Sequence, residues 1–491
     1  MLPKLLNILT TAGSVVLLFN LIIIVHEIGH FLAARWRGLH IEEFGVWFGK
    51  PLWKKQFNGV WYSLGSIPAG GFVKLPQLAP MDLIEGESEP HPEGENTPPA
   101  EPLPPISALD KIIVAFAGPL FSFLFAIALA VVVWSVGKPV NDFENSTEIG
   151  FVDQKGPAAA AGLQPGDTIK AVDGHPVDRF MGPLRSVKWH IVRSEGETIR
   201  FDIERNGERL ALHSGWSKAE GPGWKRKELR TVGIGPRQIP NIDGVLPNSP
   251  AQQAGFQKGD FLLKVNETPI FNVLDAYNEL ARHTGQSNQL VVRRNNTETT
   301  LTLVPAPHPS QPNWIAEPGL QWGHRSIMHP LPSDQIRDAV LSIVNMLDAL
   351  FAKRSDVSAQ HFSGPVGIMK VYYSIFENEG GWLLALAFSV FFNVNLALAN
   401  LLPFPVLDGG HITLAIIESI RRKPFHPKYL GWLQTGCAIA AMAFMAYLTF
   451  FDVTDFFNRR KDKSAAPREA APTAQPATAP AGNPPQPAPS K

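Results

Sequence analysis

Four long apolar segments constrain this chain more than any other feature of its sequence. They cover approximately residues 5–34, 112–136, 382–402 and 429–451. Each is long enough to cross a bilayer, which needs about 20 apolar residues. Backbone amides find no water inside a membrane, so each segment is predicted to be a helix. The sequence therefore predicts a polytopic α-helical membrane protein with four transmembrane helices.

The first apolar segment contains the motif H-E-x-x-H at residues 26–30. Residues four apart share one face of a helix, so His26 and His30 can bind one zinc ion, and Glu27 can act on a water beside it. The motif alone is weak evidence because three fixed positions often recur by chance. Its apolar setting favours a metal site, since ionisable groups in a membrane segment are costly and usually functional.

The third apolar segment ends in the sequence P-F-P-V-L-D-G-G-H, residues 403–411, which cannot continue a helix. Catalytic zinc needs a third protein ligand. Asp408 is the preferred candidate, because two glycines after it allow close backbone approach, and His411 is the competitor. Asn395 and Asn400 could hold the substrate backbone or a developing oxyanion, or could only bond between helices.

Basic residues follow the first and third apolar segments, at 35–55 and 421–428. The positive-inside rule makes both ends cytoplasmic, which brings Asp408 to the same side of the membrane as His30. The basic residues 459–461 run against this orientation but are outweighed. A cleaved signal peptide is the rival interpretation of the first segment, and it would make the protein a secreted soluble zincin.

Between the second and third apolar segments the sequence contains a repeat, at residues 156–174 and 248–266. Each copy predicts a short helix, a Gly-x-x-x-Gly-Asp turn and a strand. The spacing of about 90 residues suits two tandem small domains. The pattern resembles bacterial PDZ domains, which bind extended peptides at a sheet edge. One or both copies could instead be spacers without a ligand.

The remaining segments have simpler interpretations. Residues 61–75 predict short strands, and residues 333–351 predict an amphipathic helix. Residues 76–105 carry nine prolines and seven acidic residues and are predicted to be a flexible loop. Lys+Arg and Asp+Glu both number 44, so nothing supports a nucleic-acid partner. The one cysteine, Cys437, excludes a disulfide within the chain.

The ordered set of motifs resembles the site-2 protease family of intramembrane zinc metalloproteases, peptidase family M50. The resemblance runs from the first apolar segment to the fourth and is far more specific than any single motif. Besides the two PDZ-like copies, it rests on V-H-E-I-G-H-F (25–31), I-P-A-G-G-F-V-K (67–74), A-G-P (117–119), F-S-G-P (362–365) and N-L-L-P-F-P-V-L-D-G-G (400–410).

The resemblance implies that zinc (Zn²⁺) is held by His26, His30 and Asp408 and that Glu27 is catalytic. Implied substrates are single-span membrane proteins such as anti-sigma factors and leftover signal peptides. The implied location is the bacterial inner membrane, in contact with lipid, with the active site toward the cytoplasm and the PDZ-like domains in the periplasm.

The resemblance also implies that Gly71, Phe72, Val73 and Lys74 belong to a membrane re-entrant β-loop that pairs with an unwound substrate strand. One departure concerns Ser122, which stands near the place where the family commonly has asparagine. We expect a polar helix contact to be weakened there. The long acidic loop and the tail leave the catalytic interpretation intact.

The predicted fold class is therefore mixed: four transmembrane helices with a membrane-associated β-loop, and two tandem PDZ-like α+β domains between the second and third helices. The alternative function is a non-catalytic membrane scaffold whose PDZ domains bind partner proteins or peptides. The predicted regions are the first transmembrane helix (1–37), the β-loop region (38–75), the acidic loop (76–107), the second transmembrane helix (108–137), the PDZ-like domains (138–235 and 236–310), a linker with an amphipathic helix (311–381), the third transmembrane helix with the Asp408 segment (382–411), a cytosolic loop and the fourth transmembrane helix (412–458), and a disordered tail (459–491).

Overall fold

The structure, a computed structural model, describes residues 2–78, 106–141, 144–182, 184–218, 226–308, 311–315, 318–323, 325–352, 354–376, 380–423 and 425–465. It divides into two compact units. The first unit comprises residues 1–140, 219–229 and 326–458, and the second comprises the rest. Most of the predicted acidic loop and residues 466–491 of the predicted tail lie outside the described residues.

The helices are α1 (Leu2–Trp36), α2 (Ala108–Val136), α3 (Pro157–Ala160), α4 (Val187–Arg193), α5 (Pro250–Gln253), α6 (Val273–Arg282), α7 (Pro332–Phe351), α8 (Pro365–Phe376), α9 (Gly381–Asn400), α10 (Asp408–Arg421) and α11 (Pro427–Ala465). The strands of the first half of the chain are β1 (Glu43–Phe48), β2 (Trp53–Phe57), β3 (Val60–Leu64), β4 (Ile67–Lys74), β5 (Lys138–Asn141), β6 (Ile149–Val152), β7 (Thr168–Val172), β8 (His175–Pro176), β9 (Ile199–Arg205), β10 (Glu208–Ser214) and β11 (Ile234–Pro236). The later strands are β12 (Ile242–Val245), β13 (Phe261–Val265), β14 (Thr268–Pro269), β15 (Asn288–Arg294), β16 (Thr297–Leu303), β17 (Pro307–His308), β18 (Gln311–Ile315), β19 (Leu320–Trp322) and β20 (Arg325–Met328).

Among the described residues, four helices are long and apolar enough to cross a membrane. These spans are Leu9–Trp36, Ala108–Val136, Gly381–Asn400 and Tyr429–Asp455. They coincide with the four apolar segments, so the prediction of a polytopic membrane protein is confirmed. The last helix, α11, continues to Ala465 and so enters the range predicted as a disordered tail. The helical pattern predicted over residues 333–351 is α7.

The first unit also contains a four-stranded sheet with the strand order β2-β3-β1-β4. Strand β1 pairs with β3 in parallel and with β4 in antiparallel orientation. The predicted short strands of residues 61–75 are therefore β3 and β4. Because β4 stands at the end of the order, one of its edges is not paired within this sheet.

The F-S-G-P motif begins α8 and is held by a carboxylate of α11. Asp452 is 6% exposed, and its Oδ2 accepts hydrogen bonds from the backbone amides of Gly364 (2.9 Å) and Gly367 (3.0 Å). Arg226 balances the buried charge, with Nη2 3.0 Å from Asp452 Oδ1. The motif is thus explained by helix packing, since the negative charge sits at the amino-terminal end of α8.

The second unit contains two β-rich domains with separate cores and matching strand orders. The orders are β10-β9-β7-β8 and β16-β15-β13-β14. The first domain also pairs β6 with β11, and the second pairs β12 with β19. The second domain therefore extends past the predicted boundary at residue 310, because β19 comes from later in the chain.

The aspartate of each repeat has a structural role. Asp167 and Asp260 are almost fully buried, and each accepts the backbone amide three residues before it. Arg205 pairs with Asp167 at 2.6 Å, and Arg294 pairs with Asp260 at 2.7 Å. Each arginine ends the equivalent strand of its domain, β9 or β15. The aspartate of each Gly-Asp turn therefore joins the turn to the end of a sheet strand.

Candidate metal centre in the membrane-spanning unit

Helix α1 brings the two histidines of the H-E-x-x-H motif together. One turn apart on the same face, His26 and His30 have their Nε2 atoms 3.2 Å from each other. His26 is 7% exposed and lies within the first membrane span. Glu27 is half-buried beside them. This local geometry follows from helical periodicity alone.

Asp408 reaches the same point from the break between α9 and α10. Helix α9 ends at Asn400 and α10 begins at Asp408, so the carboxylate lies in the first turn of α10. The two glycines after it are needed for close packing. A Cβ at Gly409 would collide with the carbonyl oxygen of Leu401, and one at Gly410 would collide with that of Phe404. No larger residue fits this break without moving the backbone.

The three side chains form a triangle whose size suits a zinc ion. Asp408 Oδ2 lies 3.2 Å from His26 Nε2, and Asp408 Oδ1 lies 3.3 Å from His30 Nε2. Ligands held about 2.0–2.1 Å from a tetrahedral ion are about 3.3 Å apart, so these separations match three corners of a tetrahedron. Among the described residues, this is the one histidine, cysteine and carboxylate cluster that could hold a metal.

His411 is not part of that cluster. Its side chain is half-buried on α10, and its Nε2 atom has no hydrogen-bond partner within the described residues. Asp408 instead contacts both motif histidines. The geometry therefore favours Asp408 over His411 as the third ligand.

Helix α2 orients both imidazoles through hydrogen bonds to their Nδ1 atoms. His30 Nδ1 lies 2.8 Å from the carbonyl oxygen of Val114, which can only accept, so the ring proton is on Nδ1 and Nε2 is free for a metal. His26 Nδ1 lies 3.0 Å from Ser122 Oγ, and Ser122 is fully buried. The polar contact that we expected to be weakened at Ser122 is thus a direct hydrogen bond to a motif histidine. Outer partners of this kind fix the tautomer and direction of a metal-binding ring.

Replacing Ser122 by alanine should weaken zinc binding about 10–100-fold, the usual cost of losing such an outer partner. The affinity is measured by competition with a chromophoric chelator. Ser342→Ala is the matched control, because Ser342 is also buried but its hydroxyl donates to the carbonyl oxygen of Ala339 within its own helix. Equal affinities for the Ser122 variant and the wild type would show that the contact does not orient His26.

Two glycines let α1 and α2 approach closely enough for these contacts. A Cβ at Gly29 would collide with the carbonyl oxygen of Ala117. A Cβ at Gly118 would collide with His30 Nε2 and would lie 2.8 Å from His26 Nε2. The A-G-P motif is therefore a close helix contact, and Pro119 lies within α2 without ending it.

The two predicted substrate-binding asparagines differ in position. Asn400 Nδ2 lies 3.3 Å from His26 Nε2, at the edge of the metal centre. Asn395 Nδ2 donates to the carbonyl oxygen of Phe391, one turn earlier in the same helix, at 2.6 Å. The amide nitrogen of Asn395 is therefore engaged within α9, a contact that is neither substrate binding nor the bond between helices that was the alternative for that residue.

The predicted β-loop residues lie on β4, beside the metal centre. A Cβ at Gly71 would come within 3.2 Å of Glu27 Cγ, so the strand backbone passes directly over the motif glutamate. The ring of Phe72 stacks on Phe48 with centroids 6.0 Å apart. Val73 is buried against helices α1 and α2, and Lys74 pairs with Glu43 of β1 in the sheet register. Gly71 is thus the residue of β4 that lies against the glutamate of the H-E-x-x-H motif.

Two imidazoles and a neighbouring glutamate on a membrane-spanning helix, together with a carboxylate just after another, are the donor set of a membrane metallohydrolase. Comparison with known proteins agrees with this class. The family model described as Peptidase family M50 matches residues 14–444, and the chain belongs to that family. It is therefore a zinc-dependent metalloprotease and a multi-pass membrane protein.

Relatives match the chain over almost their whole length. The regulator of sigma-E protease RseP of Escherichia coli is 28% identical over 485 residues, covering 91% of this chain and 99% of the relative. A protein named as a zinc metalloprotease in Vibrio cholerae is 28% identical, with the same coverage. The regulator of sigma E protease of Haemophilus influenzae is 27% identical over 92% of this chain and 100% of its own. The predicted resemblance to this protease group is confirmed.

Proposed function

We propose that this protein is an intramembrane protease that hydrolyses peptide bonds within or near the transmembrane segment of single-span membrane proteins. The observation that carries the proposal is the meeting of His26, His30 and Asp408 among helices apolar enough to cross a membrane. A hydrolytic centre in that setting acts on substrates that lie in the bilayer. The names of the relatives support the same conclusion.

Each residue of the centre has a role in this proposal. His26, His30 and Asp408 hold the zinc ion, which when bound supplies a Lewis acid for water and for the scissile carbonyl. Glu27 is the general base, which takes a proton from the attacking water and passes it to the leaving amine. Asn400 donates a hydrogen bond to the oxygen on which negative charge develops.

The substrate binds as an added strand along β4. Among the described strands β4 pairs with β1 alone, so its outer edge keeps amides and carbonyls available for a peptide. A peptide bond within a helix is shielded from attack, whereas strand addition satisfies the amides of an unwound segment. Because Gly71 lies against Glu27, a strand paired there presents a peptide bond to the general base.

The protein is proposed to lie in the bacterial inner membrane with the metal centre toward the cytoplasm. The basic residues after α1 and around the end of α10 support this orientation through the positive-inside rule. The two β-rich domains are proposed to be PDZ-like and periplasmic. They would bind peptides or exclude substrates whose outer domain has not been trimmed, and anti-sigma factors and remnant signal peptides are the proposed substrates.

The proposal is tested with Glu27→Gln, which keeps the shape of the side chain but removes the base. Cleavage of a single-span substrate in proteoliposomes should fall at least about 100-fold, because general bases contribute roughly 10²–10⁴-fold. Zinc content, measured by mass spectrometry, should stay at the wild-type level. Glu208→Gln, which changes an exposed carboxylate of β10, is the control and should cleave normally.

Unchanged cleavage in Glu27→Gln would show that Glu27 is not the general base, and absence of cleavage by the wild type itself would favour the alternative function, a membrane scaffold without catalysis. Loss of zinc together with activity would instead show that Glu27 supports the metal centre and is not its general base. Only the combination of retained zinc and lost cleavage supports the proposed role.

A further inference from the structure

One polar residue of α1 contributes neither to the metal centre nor to its outer partners. Asn20 is 5% exposed within the first membrane span. Its Nδ2 donates to the carbonyl oxygen of Val16 (2.7 Å), one turn earlier, and to that of Pro68 (3.3 Å) in β4. Because both partners are carbonyl oxygens, the amide nitrogen must face them, and the orientation of the side chain is determined.

The partner of Asn20 lies at an irregular point of β4. Ile67 pairs with Phe48 and Gly71 pairs with Val46, so three residues of β4 stand opposite the single residue Trp47. Positive φ angles at Trp47 (68°) and Gly70 (94°) accompany this bulge. Pro68 is not among the paired residues, and its carbonyl turns to α1 instead. A bulge changes the direction of a strand, and this bulge is held by the side chain of Asn20 from α1.

The strand then follows one face of α1 to the catalytic glutamate. Asn20, Ile23 and Glu27 are spaced three and four residues apart and so share a face. Asn20 contacts Pro68, and a Cβ at Gly71 would lie 3.8 Å from Ile23 and 3.2 Å from Glu27. Asn20 and Glu27 therefore contact the beginning of the bulge and the first paired residue after it from the same face of α1.

Helix stability does not account for an asparagine at this place. Its Oδ1 is buried and has no hydrogen-bond partner among the described residues. An unsatisfied buried acceptor in an apolar segment is destabilising, whereas leucine has the same branching and the same number of side-chain heavy atoms without that cost. Asparagine, unlike leucine, can donate a hydrogen bond to the Pro68 carbonyl of β4.

We propose that Asn20 is a positioning residue that fixes β4 lengthwise on α1 and thereby sets which peptide bond of an added substrate strand faces Glu27. The inference rests on the proposed function, because it assigns the register of the same substrate strand. Without the Asn20 contact, the bulge can shift along the helix. The substrate strand then presents neighbouring bonds to the general base.

The test compares Asn20→Leu with the wild type in the full-length protein. With a single-span substrate, mass spectrometry of the products should show cleavage spread over neighbouring bonds, and KM should rise several-fold. Zinc content and melting temperature should not fall. Leu17→Ala is the matched control, because Leu17 is 72% exposed on the same helix, and its products should equal those of the wild type.

A second measurement does not depend on catalysis. In a Glu27→Gln background, hydrogen–deuterium exchange of the peptide covering residues 67–74 should be faster with Asn20→Leu than without it. Unchanged exchange, or an unchanged cleavage position and KM, would overturn the inference. If the wild type shows no zinc-dependent cleavage, the proposed function fails, and the exchange comparison still decides whether Asn20 anchors β4.

Discussion

Replacing Asp408 by alanine should remove zinc from the protein and abolish proteolysis. The carboxylate supplies one corner of the triangle, 3.2 Å from His26 Nε2 and 3.3 Å from His30 Nε2. Losing an outer partner costs about 10–100-fold in metal affinity, so losing a direct ligand should cost more than about 100-fold. The two imidazoles alone also leave the ion without the third protein ligand of a catalytic site.

The measurement is zinc affinity by chelator competition, together with cleavage of a single-span substrate. His411→Ala is the matched control, since His411 lies three residues away on the same helix and was the other candidate ligand. It should keep its zinc. If His411→Ala loses the metal and Asp408→Ala retains it, the assignment of the third ligand is wrong.

The sequence predicts those residues of the site whose positions follow from helical periodicity or from membrane topology. Helical periodicity alone places His26 beside His30. Asp408 is far from the motif in sequence. The basic residues after the first and third apolar segments predict that it lies on the same side of the membrane as His30. The Pro and Gly residues around it predict a break in the helix. Both arguments use physical rules that act on composition, and neither requires knowledge of how the helices pack.

The contacts behind the site could not be predicted in this way. Whether Ser122 reaches His26 depends on the rotation of α2 about its axis, which the sequence does not specify, and we expected a weaker contact there. The amide of Asn395 bonds within its own helix, whereas the sequence left open only substrate binding and a bond between helices. Asn20 gave a usable signal, a lone amide in an apolar span, but its partner in β4 is set by tertiary structure.

In the β-rich domains, too, local pattern predicted the repeated turn but not the strand pairing that is distant in sequence. The repeated Gly-Asp turn predicted two copies of one small domain. The strand that completes the second copy, β19, pairs with β12 from nearly 80 residues earlier. No local pattern marks a short three-residue strand as the partner of one so distant, and the predicted boundary therefore ended too early.

Gly118→Ala should be almost as damaging as removing a ligand, although it adds only a methyl group. The new Cβ would collide with His30 Nε2 and lie 2.8 Å from His26 Nε2, the two atoms that face the metal position. Movement of α2 away from α1 would break the hydrogen bonds that join Ser122 to His26 and Val114 to His30. The imidazoles must therefore turn away, and zinc binding and cleavage should both be lost.

The fold itself should tolerate the change. Alanine is favoured over glycine inside a helix by about 0.5–1 kcal/mol, so the melting temperature of the metal-free protein should stay level or rise. Gly13→Ala is the matched control, because Gly13 also lies in a membrane-spanning helix but a Cβ there meets nothing within 4 Å. It should keep wild-type zinc affinity and cleavage. Full zinc binding by Gly118→Ala would mean that the two helices lie further apart at the metal centre than the contacts of Ser122 and Val114 with the histidines require.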